Sequence, residues 1–508
     1  MPLISKTTFL EFQLCPRDTW LKLHKPELVE QFTPTAFELH LMEEGNAIEH
    51  VGRGLWPDGV LVTETGDEAC RRTAELMAAR TPAIFQATFV VDGFIAKCDV
   101  LAFNVAAESW DLYEIKGTND KKEEGEDRDH ISDLAFQKNV LERAGVKLGR
   151  LFIVHLDREY VRDGELDLEA LFVKDDSTEQ VAAIAQEIGE EMMVARGVLA
   201  REREPSITCD CHFKGRSRHC RTFAYSHPEI PEYSVHDLVR IGTSKKKLAY
   251  FMDHRIYTLD EVPDGFELGD AQQNQVLAHK RRAPIIDEQG IAAALERYRY
   301  PLYFFDYETY APGIPTFAGF SPYQRIPFQF SLHILRRPGD ALEHLEFLQP
   351  DLADPTEGVA KLLSEHIDPN GSVVVWYAPF ERDVNAEIGK RAPAYRMALE
   401  RLNGQIVDLR EIFVDQHLVH PEFRGSTSIK AVLPVLVPEL SYKDLAIQEG
   451  GTASKEWWRM VAAETPPAER QAIAAALKTY CARDTYAMVA IWQKLHELAA
   501  TGASRQSA

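Results

Sequence analysis

Residues 303–309 read YFFDYET, an aromatic stretch that contains two acids separated by one residue. Apolar runs of this length form buried β-strands, in which residues i and i+2 point to the same face. Asp306 and Glu308 therefore project together from a segment fit for burial, and two like charges there are costly unless a cation lies between them. A hard cation such as Mg²⁺ would meet that need, although an edge strand could also present the pair to water.

Two further acidic positions follow along the chain. Residues 373–376 predict a second buried strand, and Glu381 comes just past its end, with Asp383 as a nearby substitute. Near the C-terminus, Tyr480 and Asp484 are i and i+4 in a helical pattern and so share a face. The pattern therefore predicts that acids far apart along the chain meet around divalent ions.

These motifs resemble those of the DnaQ-like (DEDD) 3′-5′ exonucleases of the RNase H-like superfamily. The first motif of that family is Asp-x-Glu, here Asp306 and Glu308, and the third in one subclass is Tyr-x-x-x-Asp, here Tyr480 and Asp484. The family usually carries Asp where this chain has Glu381. The resemblance implies that the four acids hold two divalent ions and that Tyr480 positions the attacking water.

Two neighbouring features bear on the same centre. Asp408 follows another short apolar run and is either a supporting acid or the N-cap of a helix that starts at Leu409. Residues 425–430 read GSTSIK, a helix start whose amides either receive a phosphate or are merely capped. Its last three residues resemble the Ser-Leu-Lys that related exonucleases carry before the last motif, which implies a nucleic-acid contact for Lys430.

The N-terminal half has a second group of acids, on a predicted meander of three strands between residues 84 and 116. Asp99 lies on the second strand, and Glu114 and Lys116 lie two residues apart on the third. Two carboxylates can bind a metal while an amine on the same face orients a water or offsets phosphate charge, which is the pattern of a hydrolytic metal site. Glu114 and Lys116 could instead form a plain surface ion pair.

The order of these residues, Asp99 and then Glu114-x-Lys116, resembles the PD-(D/E)xK nuclease core of RecB-like proteins. That family also places a metal ligand on an upstream helix, which falls on Glu49 in this chain, with His50 as the alternative. The resemblance implies that the three acids bind Mg²⁺ or Mn²⁺ and that Lys116 stabilises charge on the phosphate.

Three positions around this motif complete the comparison. The family places a glutamine on the helix after the lysine strand, here Gln137, which implies a nucleic-acid contact. Gln86 lies where some relatives carry an acid. Residues 117–133 are dense in charge and predict a loop beside the site.

Three cysteines, Cys209, Cys211 and Cys220, lie within twelve residues of a polar, glycine-containing loop and are hard to explain as core thiols. With Cys15, at the end of a predicted helix, they offer four thiolates, enough for a [4Fe-4S] cluster or for tetrahedral zinc, which could also use a histidine of the same loop. One early and three late cysteines around a RecB-like core resemble the iron-sulfur nucleases of the CRISPR-associated RecB-like and AddB types. The resemblance favours the [4Fe-4S] cluster, with zinc as the alternative, and implies that it pins the chain start to the end of the nuclease domain.

Bulk properties set wider limits. A chain of 508 residues, with 45% hydrophobic and 27% charged residues, predicts a globular protein of two or three domains. We find no run of about 18 apolar residues and no N-terminal signal pattern, which predicts a soluble, cytoplasmic protein without a membrane partner. The net charge of -22 counts against tight nonspecific duplex binding, although a basic groove at residues 245–247 or 280–282 can coexist with an acidic exterior.

The sequence thus predicts an α/β protein made of two nuclease-like domains and a connector. We expect a PD-(D/E)xK (restriction-endonuclease-like) domain with the cysteine cluster over residues 1–224, a small helical connector over 225–295, a DnaQ-like, RNase H-like α/β domain over 296–497, and a disordered tail over 498–508.

The leading hypothesis is a metal-dependent nuclease that hydrolyses phosphodiester bonds in DNA, or alternatively RNA, with one centre in each half. Glu381 and Gln86 depart from the family patterns and keep open a nucleic-acid-binding or scaffold protein with inactive centres; an iron-sulfur redox sensor is a third hypothesis. The sequence has no Gly-x-x-x-x-Gly-Lys-Ser/Thr phosphate loop, so ATP-driven unwinding would have to come from a helicase or another repair or defence partner.

Overall fold

The computed structural model describes residues 3–29, 34–119 and 129–506. The protein is a mixed α/β chain of two compact units. The N-terminal unit comprises residues 1–212, 218–228 and 312–324, and the C-terminal unit comprises residues 213–217, 229–311 and 325–508. Nearly all of the predicted connector therefore belongs to the C-terminal unit, and a short segment of the predicted exonuclease domain belongs to the N-terminal unit.

A seven-stranded mixed sheet forms the centre of the N-terminal unit. Its strands are β1 (Ile4–Ser5), β2 (Gly59–Leu61), β3 (Ala83–Val91), β4 (Phe94–Asn104), β5 (Ser109–Ile115), β6 (Leu148–Leu156) and β7 (Phe172–Asp176). The order is β2-β3-β4-β5-β6-β7, and β1 pairs with β4. The helices of this unit are α1 (Lys6–Leu14), α2 (Pro16–His24), α3 (Ala36–Gly52), α4 (Gly66–Ala78), α5 (Asp129–Arg143), α6 (Leu168–Leu171), α7 (Thr178–Leu199) and α8 (Phe223–Ser226).

The predicted three-strand meander is confirmed as β3, β4 and β5, which pair antiparallel. β-Branched and aromatic residues dominate β3, and Asp92 and Gly93, both with positive φ, make the tight turn into β4. α5 then crosses over the sheet and returns the chain to β6, parallel to β5. Because of this order, the end of β5 faces the start of α5.

A five-stranded sheet forms the centre of the C-terminal unit, in the order β11-β10-β9-β12-β13. The strands of this unit are β8 (Ile285–Ile286), β9 (Leu302–Tyr310), β10 (Ile326–Leu335), β11 (Glu343–Leu348), β12 (Ser372–Val375), β13 (Ile406–Asp408) and β14 (Leu418–Val419), of which β8 and β14 pair separately. Its helices are α9 (Lys245–Asp253), α10 (Asp270–Arg281), α11 (Glu288–Leu295), α12 (Thr356–His366), α13 (Ala378–Arg391), α14 (Arg396–Gln405), α15 (Glu411–Val414), α16 (Ile429–Leu436), α17 (Gly450–Val461) and α18 (Pro467–Gln506).

The side chains of the central strand β9 alternate between two faces with the two-residue period of a β-strand. Tyr303, Phe305 and Tyr307 are buried in the hydrophobic core that includes residues of α12, α13 and α14. Phe304 faces the other side, where its ring lies 6.0 Å from that of Trp492 on α18. Asp306 continues the alternation on this second side, so the acids of β9 face α18.

Three expectations differ from the structure or lie outside it. Within the connector, which the sequence predicts to be helical, residues 235–243 form only the short 3₁₀ turns Val235–Asp237 and Ile241–Thr243. α18 continues to Gln506, so the tail predicted from residue 498 is helical up to that point. Residues 120–128 of the charged loop lie outside the described residues. Among the described residues, no helix combines the length and apolar character that crossing a bilayer requires.

Candidate metal centres

The first acidic centre lies on the face of β9 that is covered by α18. One ligand atom each from Asp306, Glu308 and Cys481 lies within 4.8 Å of the other two. Strand pairing holds the two acids opposite Ser331 and Gln329 of β10. The predicted clustering of Asp306 with Glu308 is therefore confirmed, and the chain adds a thiol from α18 beside them. We call Asp306, Glu308, Glu381 and Asp484 the C-terminal acidic centre.

Polar contacts fix α18 over the sheet at this point. Thr485 exchanges a hydrogen bond of 2.7 Å with the Ser331 hydroxyl and one of 2.8 Å with His333 Nδ1. One helical turn earlier than Cys481, the carbonyl of Leu477 accepts a hydrogen bond of 3.0 Å from Gln329 Nε2. These bonds set the rotation of α18, so that the neighbouring Asp484 is directed at the acids of β9.

Glu381 reaches the centre from the first turn of α13. Tyr377, whose φ of 137° is rare for a residue with a side chain, turns the chain sharply from β12 into this helix. The Glu381 side chain is 3% exposed and its Oε2 has no hydrogen-bond partner. Asp383 lies on the exposed face of the same helix, so Glu381, and not its proposed substitute, faces the centre.

Asp408 supports this helix from the end of β13. Its Oδ2 accepts a hydrogen bond of 2.9 Å from the Ala378 amide, the first of α13, and its Oδ1 accepts one of 3.0 Å from the Arg410 amide. The helix expected to start at Leu409 begins at Glu411 with Arg410 as its N-cap, so Asp408 is not its N-cap residue and instead binds the first amide of α13, a helix distant in sequence. Its charge also acts on Glu381.

Burial and mutual repulsion dominate the electrostatics of the C-terminal acidic centre. Burial, followed by the charges of Asp484, Glu308 and Glu381, raises the pKa of Asp306 well above its ordinary value. Burial and Asp484 do the same to the pKa of Glu308. Burial raises the pKa of Glu381 to about 8 and that of Asp484 to about 6. The four acids therefore lack enough positive charge to ionise together.

Two tyrosines and a lysine surround Asp484. The Tyr442 hydroxyl donates a hydrogen bond to Asp484 Oδ1, and hydrogen bonds from Tyr442 and Tyr480 partly offset the effect of burial on the pKa of Asp484. Lys430 Nζ lies 5.8 Å and 5.9 Å from the centres of these two rings, and its charge acts on Asp306 and Glu308. Burial, followed by Asp484, raises the pKa of Tyr480 far above its ordinary value, so Tyr480 is a neutral hydrogen-bonding group.

The second acidic centre, at the end of β5, has a different balance of charge. Lys116 Nζ lies 2.9 Å from Glu114 Oε1 and also forms an ion pair with Asp133 Oδ2 on α5. Lys6, the first residue of α1, forms an ion pair with the same Glu114 oxygen and lies 3.4 Å from the same Asp133 oxygen. Two ammonium groups therefore bridge two buried carboxylates. We call Asp99, Glu114, Asp133 and Glu49 the N-terminal acidic centre.

Amide groups occupy the other carboxylate oxygens. Gln137 Nε2 donates to Glu114 Oε2 at 2.7 Å and to Asp133 Oδ1 at 2.8 Å. The Ile115 amide donates to Asp99 Oδ2 at 2.9 Å. The predicted metal ligand Glu114 thus has hydrogen-bond donors of the protein on both oxygens.

The predicted upstream ligand Glu49 is also engaged. Its Oε1 accepts a hydrogen bond of 2.6 Å from Gln86 Nε2 and pairs with Arg53 at 2.5 Å. Gln86 Nε2 also lies 3.4 Å from Asp99 Oδ1, so Gln86 links Glu49 and Asp99 at the position where some RecB-like proteins carry an acid. His50, the alternative ligand, is exposed.

The pKa directions follow this difference in charge. Burial opposes ionisation of Glu114, but Lys116 and Lys6 outweigh it and hold the pKa of Glu114 far below its ordinary value. Burial likewise opposes the charge of Lys6, but Glu114, Asp133 and Asp99 raise its pKa. Burial, followed by Glu114, raises the pKa of Asp99 well above its ordinary value. As arranged here, the N-terminal acidic centre does not fit a metal ion, because lysine ammonium groups and amide groups already contact the carboxylate oxygens that would bind it.

The C-terminal acidic centre does fit a divalent cation. Glu308, Glu381 and Asp484 are buried and Asp306 is half-buried, Glu381 Oε2 has no partner, and none of the four acids forms an ion pair with a described lysine or arginine. Carboxylate oxygens are the donors that Mg²⁺ and Mn²⁺ prefer.

The four predicted cysteine ligands also come together. The sulfur atoms of Cys15, Cys209, Cys211 and Cys220 all lie within 4.8 Å of one another. Cys209 Sγ is 3.6 Å from Cys15 Sγ and 3.6 Å from Cys220 Sγ, and all four residues are free cysteines. A tetrahedral ion with metal–sulfur bonds of about 2.3 Å separates its thiolates by about 3.8 Å. The observed separations fit such an ion closely.

A helix start and two histidines make hydrogen bonds around the thiols, and the histidines do not replace a thiol as ligand. Cys15 lies between α1 and α2 and caps α2, accepting a hydrogen bond of 3.4 Å from the Asp18 amide, which favours a thiolate. His212 Nδ1 and His227 Nε2 contact the Cys209 carbonyl at 2.8 Å and 3.0 Å. Asp18 Oδ1 accepts bonds from the amide and hydroxyl of Thr222, which ties the chain start to the cysteine loop.

Sequence reasoning missed four residues of these centres. Asp133 carries a detectable signal, because it lies four residues before Gln137 on one helix. Cys481, interpreted from the sequence as a packing residue, carries another, since it lies three residues before Asp484. Lys6 and Tyr442 have no local signal, because tertiary packing alone brings them to the acids.

Comparison with known proteins adds one match. A family model described as "Domain of unknown function (DUF2779)" matches residues 303–428. The matched segment contains Asp306, Glu308, Glu381 and Asp408 and ends before the helix that carries Asp484. No curated protein and no solved structure matches the chain.

The raised carboxyl pKa values predict a pH-dependent stability of the metal-free protein. Glu381 is protonated in the folded protein up to pH of about 8 but ionises near its ordinary value when unfolded, so unfolding releases a proton and stability falls as pH rises between these values. In EDTA, the free energy of unfolding should drop by roughly 2 to 3 kcal/mol between about pH 5 and pH 7. Denaturant titrations measure the drop.

Glu381→Gln should lessen this drop, whereas Asp383→Asn, on the exposed face of the same helix, should leave it unchanged. Mn²⁺ should also reduce the drop in the unaltered protein. Equal pH slopes for the Glu381 variant and the unaltered protein would contradict the assignment of the slope to Glu381.

The cation pairs of the N-terminal acidic centre predict a large effect of removing Lys6. Lys6→Met leaves two buried carboxylates with one ammonium group between them, which should cost roughly 2 to 4 kcal/mol of unfolding free energy. Lys138→Met, which removes a surface pair with Glu142 on α5, should cost less than about 1 kcal/mol. Similar losses for the two variants would show that Lys6 is not needed to compensate the acids.

Proposed function

We propose that this protein is a metal-dependent nuclease and that its C-terminal acidic centre hydrolyses phosphodiester bonds in DNA, or alternatively in RNA. The observation that carries the proposal is the grouping of Asp306 and Glu308 within 4.8 Å, with the buried acids Asp484 and Glu381 acting on Asp306. None of the four has an ion-pair partner among the described lysines and arginines. Such a cluster is costly for a protein unless a cation binds there. Buried acids with strongly raised pKa values are also a common property of catalytic sites.

The topology of the C-terminal unit supports an RNase H-like assignment. Strands β9, β10 and β11 form an antiparallel meander, and β12 and β13 lie parallel to β9 on its other side. The resemblance to DnaQ-like exonucleases therefore has a matching sheet beneath its motifs. It adds the expectation of cutting from a 3′ end.

The chemistry of the site follows from its donors. Bound Mg²⁺ or Mn²⁺ would be held by the four carboxylates and would supply charge neutralisation and activation of water. In the hydrolysis, the water oxygen bonds to phosphorus, one phosphorus–oxygen bond of the strand breaks, and the departing oxygen gains a proton. Tyr480 stays protonated and orients the water by hydrogen bonding, and Lys430 lies where it can attract the phosphate charge.

For the N-terminal unit, the balance of charge favours the second hypothesis, a centre that no longer cuts. The order α4-β3-β4-β5-α5-β6 agrees with a PD-(D/E)xK core, and Asp99, Glu114 and Lys116 occupy its motif. However, Lys6 and Lys116 already neutralise Glu114 and Asp133. In this arrangement the centre stabilises the fold of its unit and does not hydrolyse nucleic acid.

The cysteine cluster has a structural role in the same proposal. The resemblance favoured a [4Fe-4S] cluster, in which each thiolate binds a different iron and the sulfurs lie correspondingly far apart. The separations of 3.6 Å favour the alternative, one zinc ion held by four thiolates. This ion would hold α2 to the loop at residues 209–220.

Removal of a carboxylate predicts loss of cutting. Asp306→Asn should lower the Mg²⁺- or Mn²⁺-dependent cleavage rate of a labelled oligonucleotide at least about 1000-fold, and Glu381→Gln about 100-fold, because each deletes a metal ligand. The exposed Asp383→Asn is the matched control and should keep the rate within about two-fold. EDTA should abolish cutting.

The same assay separates the two units. Lys116→Ala should retain metal-dependent cutting, because the proposal assigns no cutting to the N-terminal acidic centre. Cutting that survives Asp306→Asn and is lost in Lys116→Ala would transfer the activity to the N-terminal unit and refute the proposal.

Metal analysis tests the cysteine site. The purified protein should contain about one zinc ion per chain and lack the broad visible absorbance of an iron-sulfur cluster. Cys220→Ala should lose the ion and at least about 3 kcal/mol of stability, whereas Cys70→Ala, outside the cluster, should retain both. Four irons per chain after anaerobic purification would contradict the single-ion site.

A further inference from the structure

A second polar site lies in the C-terminal unit, away from the carboxylates. A pocket of about 660 Å³ is lined by segments before α9 and α10 and by the segment before α16. Its volume is in the range of pockets that hold small ligands. Neither the sequence resemblance nor the matched family assigns a role to it.

Positive charge dominates the lining. Arg240, Lys247 and Arg410 contribute to the wall, together with one acid, Asp270. None of the three cations forms an ion pair with a described carboxylate, although Arg410 acts on Asp408 at longer range. A concave surface with surplus positive charge attracts anions.

The pocket also collects three helix beginnings. Ser244, Gly269 and Ser428 are the N-cap residues of α9, α10 and α16, and all three line the pocket. The first amides of a helix have no acceptor within it and carry partial positive charge. Neither Ser244 nor Ser428 uses its hydroxyl to cap its helix, so the hydroxyls add to the donors of the wall.

Buried contacts hold this wall in place. Gln272 and Gln275 of α10 bond to the backbone of Val239 at 2.8 Å and 2.9 Å. Arg410 Nε donates to Thr427 Oγ1 at 2.9 Å, which leaves the two terminal nitrogens of its guanidinium group for another partner. Gly425 has a φ of 79°, and a Cβ there would meet Gln275 at 2.6 Å, so glycine permits the close approach of this loop to α10.

The pocket adjoins the C-terminal acidic centre through α16. Ser428 at the beginning of this helix lines the pocket, and Lys430 in its first turn acts on Asp306 and Glu308. Arg410 lies over the ring of Tyr377 at 5.5 Å, directly before the helix of Glu381. One nucleic-acid strand can therefore contact both the pocket and the C-terminal acidic centre.

We propose that this pocket binds the phosphate groups of a nucleic-acid strand whose end lies at the acidic centre. The inference rests on the proposed function, since it identifies the ligand with the strand that is cut. Positive charge, helix-start amides and serine hydroxyls suit the phosphodiester group, which offers several acceptor oxygens and one negative charge per nucleotide. A free nucleotide or inorganic phosphate presents the same chemistry and is the other source to be tested.

Binding of a labelled single-stranded oligonucleotide by the full chain in EDTA, followed by fluorescence anisotropy, tests the proposal without cutting. The double variant Arg240→Gln/Lys247→Gln should raise Kd about ten-fold and lower the slope of log K against log salt by about 1.4, because two phosphate contacts are lost. The matched control is Lys245→Gln/Lys246→Gln, which removes the same charge from the first turn of α9, the helix of Lys247, but not from the pocket. It should change Kd less than about two-fold.

A single variant and two competing ligands complete this experiment. Arg240→Gln alone, whose exposed side chain makes no described hydrogen bond, should raise Kd about three-fold, so the test survives misfolding of the double variant. AMP and inorganic phosphate should compete at least about 100-fold more weakly than the oligonucleotide. Equal competition would overturn the strand as ligand, and equal Kd values for pocket and control variants would overturn the site.

Failure of the inference is distinguishable from failure of the proposed function. Asp306→Asn should bind the oligonucleotide normally, and the pocket variant should still hydrolyse a small phosphodiester with a metal ion. If pocket and control variants have equal Kd values while the unaltered protein still cuts, only the binding site is refuted.

Discussion

The repulsion among buried carboxylates is the constraint on which the C-terminal unit depends. Asp306 and Glu308 lie on the central strand of the sheet and are paired there with β10, so they cannot move to water without breaking that pairing. Asp484 and Glu381 approach from helices that are themselves fixed, one by Thr485 and the other by Asp408. The fold thus gives up stability to keep these acids together, which natural proteins do chiefly where the cluster has a function.

The two halves of the chain solve the same electrostatic problem in opposite ways. In the N-terminal acidic centre, the side chains of Lys6 and Lys116 provide the positive charge, and the pKa of Glu114 is held far below its ordinary value. In the C-terminal acidic centre, the nearest described lysine is exposed and acts only at a distance. Internal compensation gives a permanent structure, whereas missing compensation leaves a place for an ion from solution. The difference is one of charge count and not of fold.

Local patterns in the sequence were sufficient for much of this structure. The alternation in residues 303–309, the turn at Asp92 and Gly93, and the cysteine spacing each depend on neighbours in the chain, and the structure agrees with all three. The same patterns brought out Glu381, Asp99 and Gln137. The connector predicted to be helical is only partly so: Val235 and Ile241 lie in short 3₁₀ turns and pack in one hydrophobic core with Val276 of α10.

Contacts between distant segments were the part that could not be predicted. Lys6 and Tyr442 are ordinary residues in their own stretches, and their importance comes from ion pairs and hydrogen bonds to residues 108 and 42 positions away. The charge balance of a centre is a property of all such partners together. Sequence motifs therefore identified where acids cluster, but only the three-dimensional arrangement shows which cluster is already neutralised by lysines.

The cysteine cluster joins points that are 194 residues apart in the chain, which imposes an order on synthesis. At the usual ribosomal rate, Cys15 is made roughly 10 to 40 s before its partners emerge. During that interval strands β2 to β7 are translated, so α1 and α2 can dock before the cysteine cluster forms. The four thiols can come together only after that, so an ion held by them would be bound by a unit whose strands are already made.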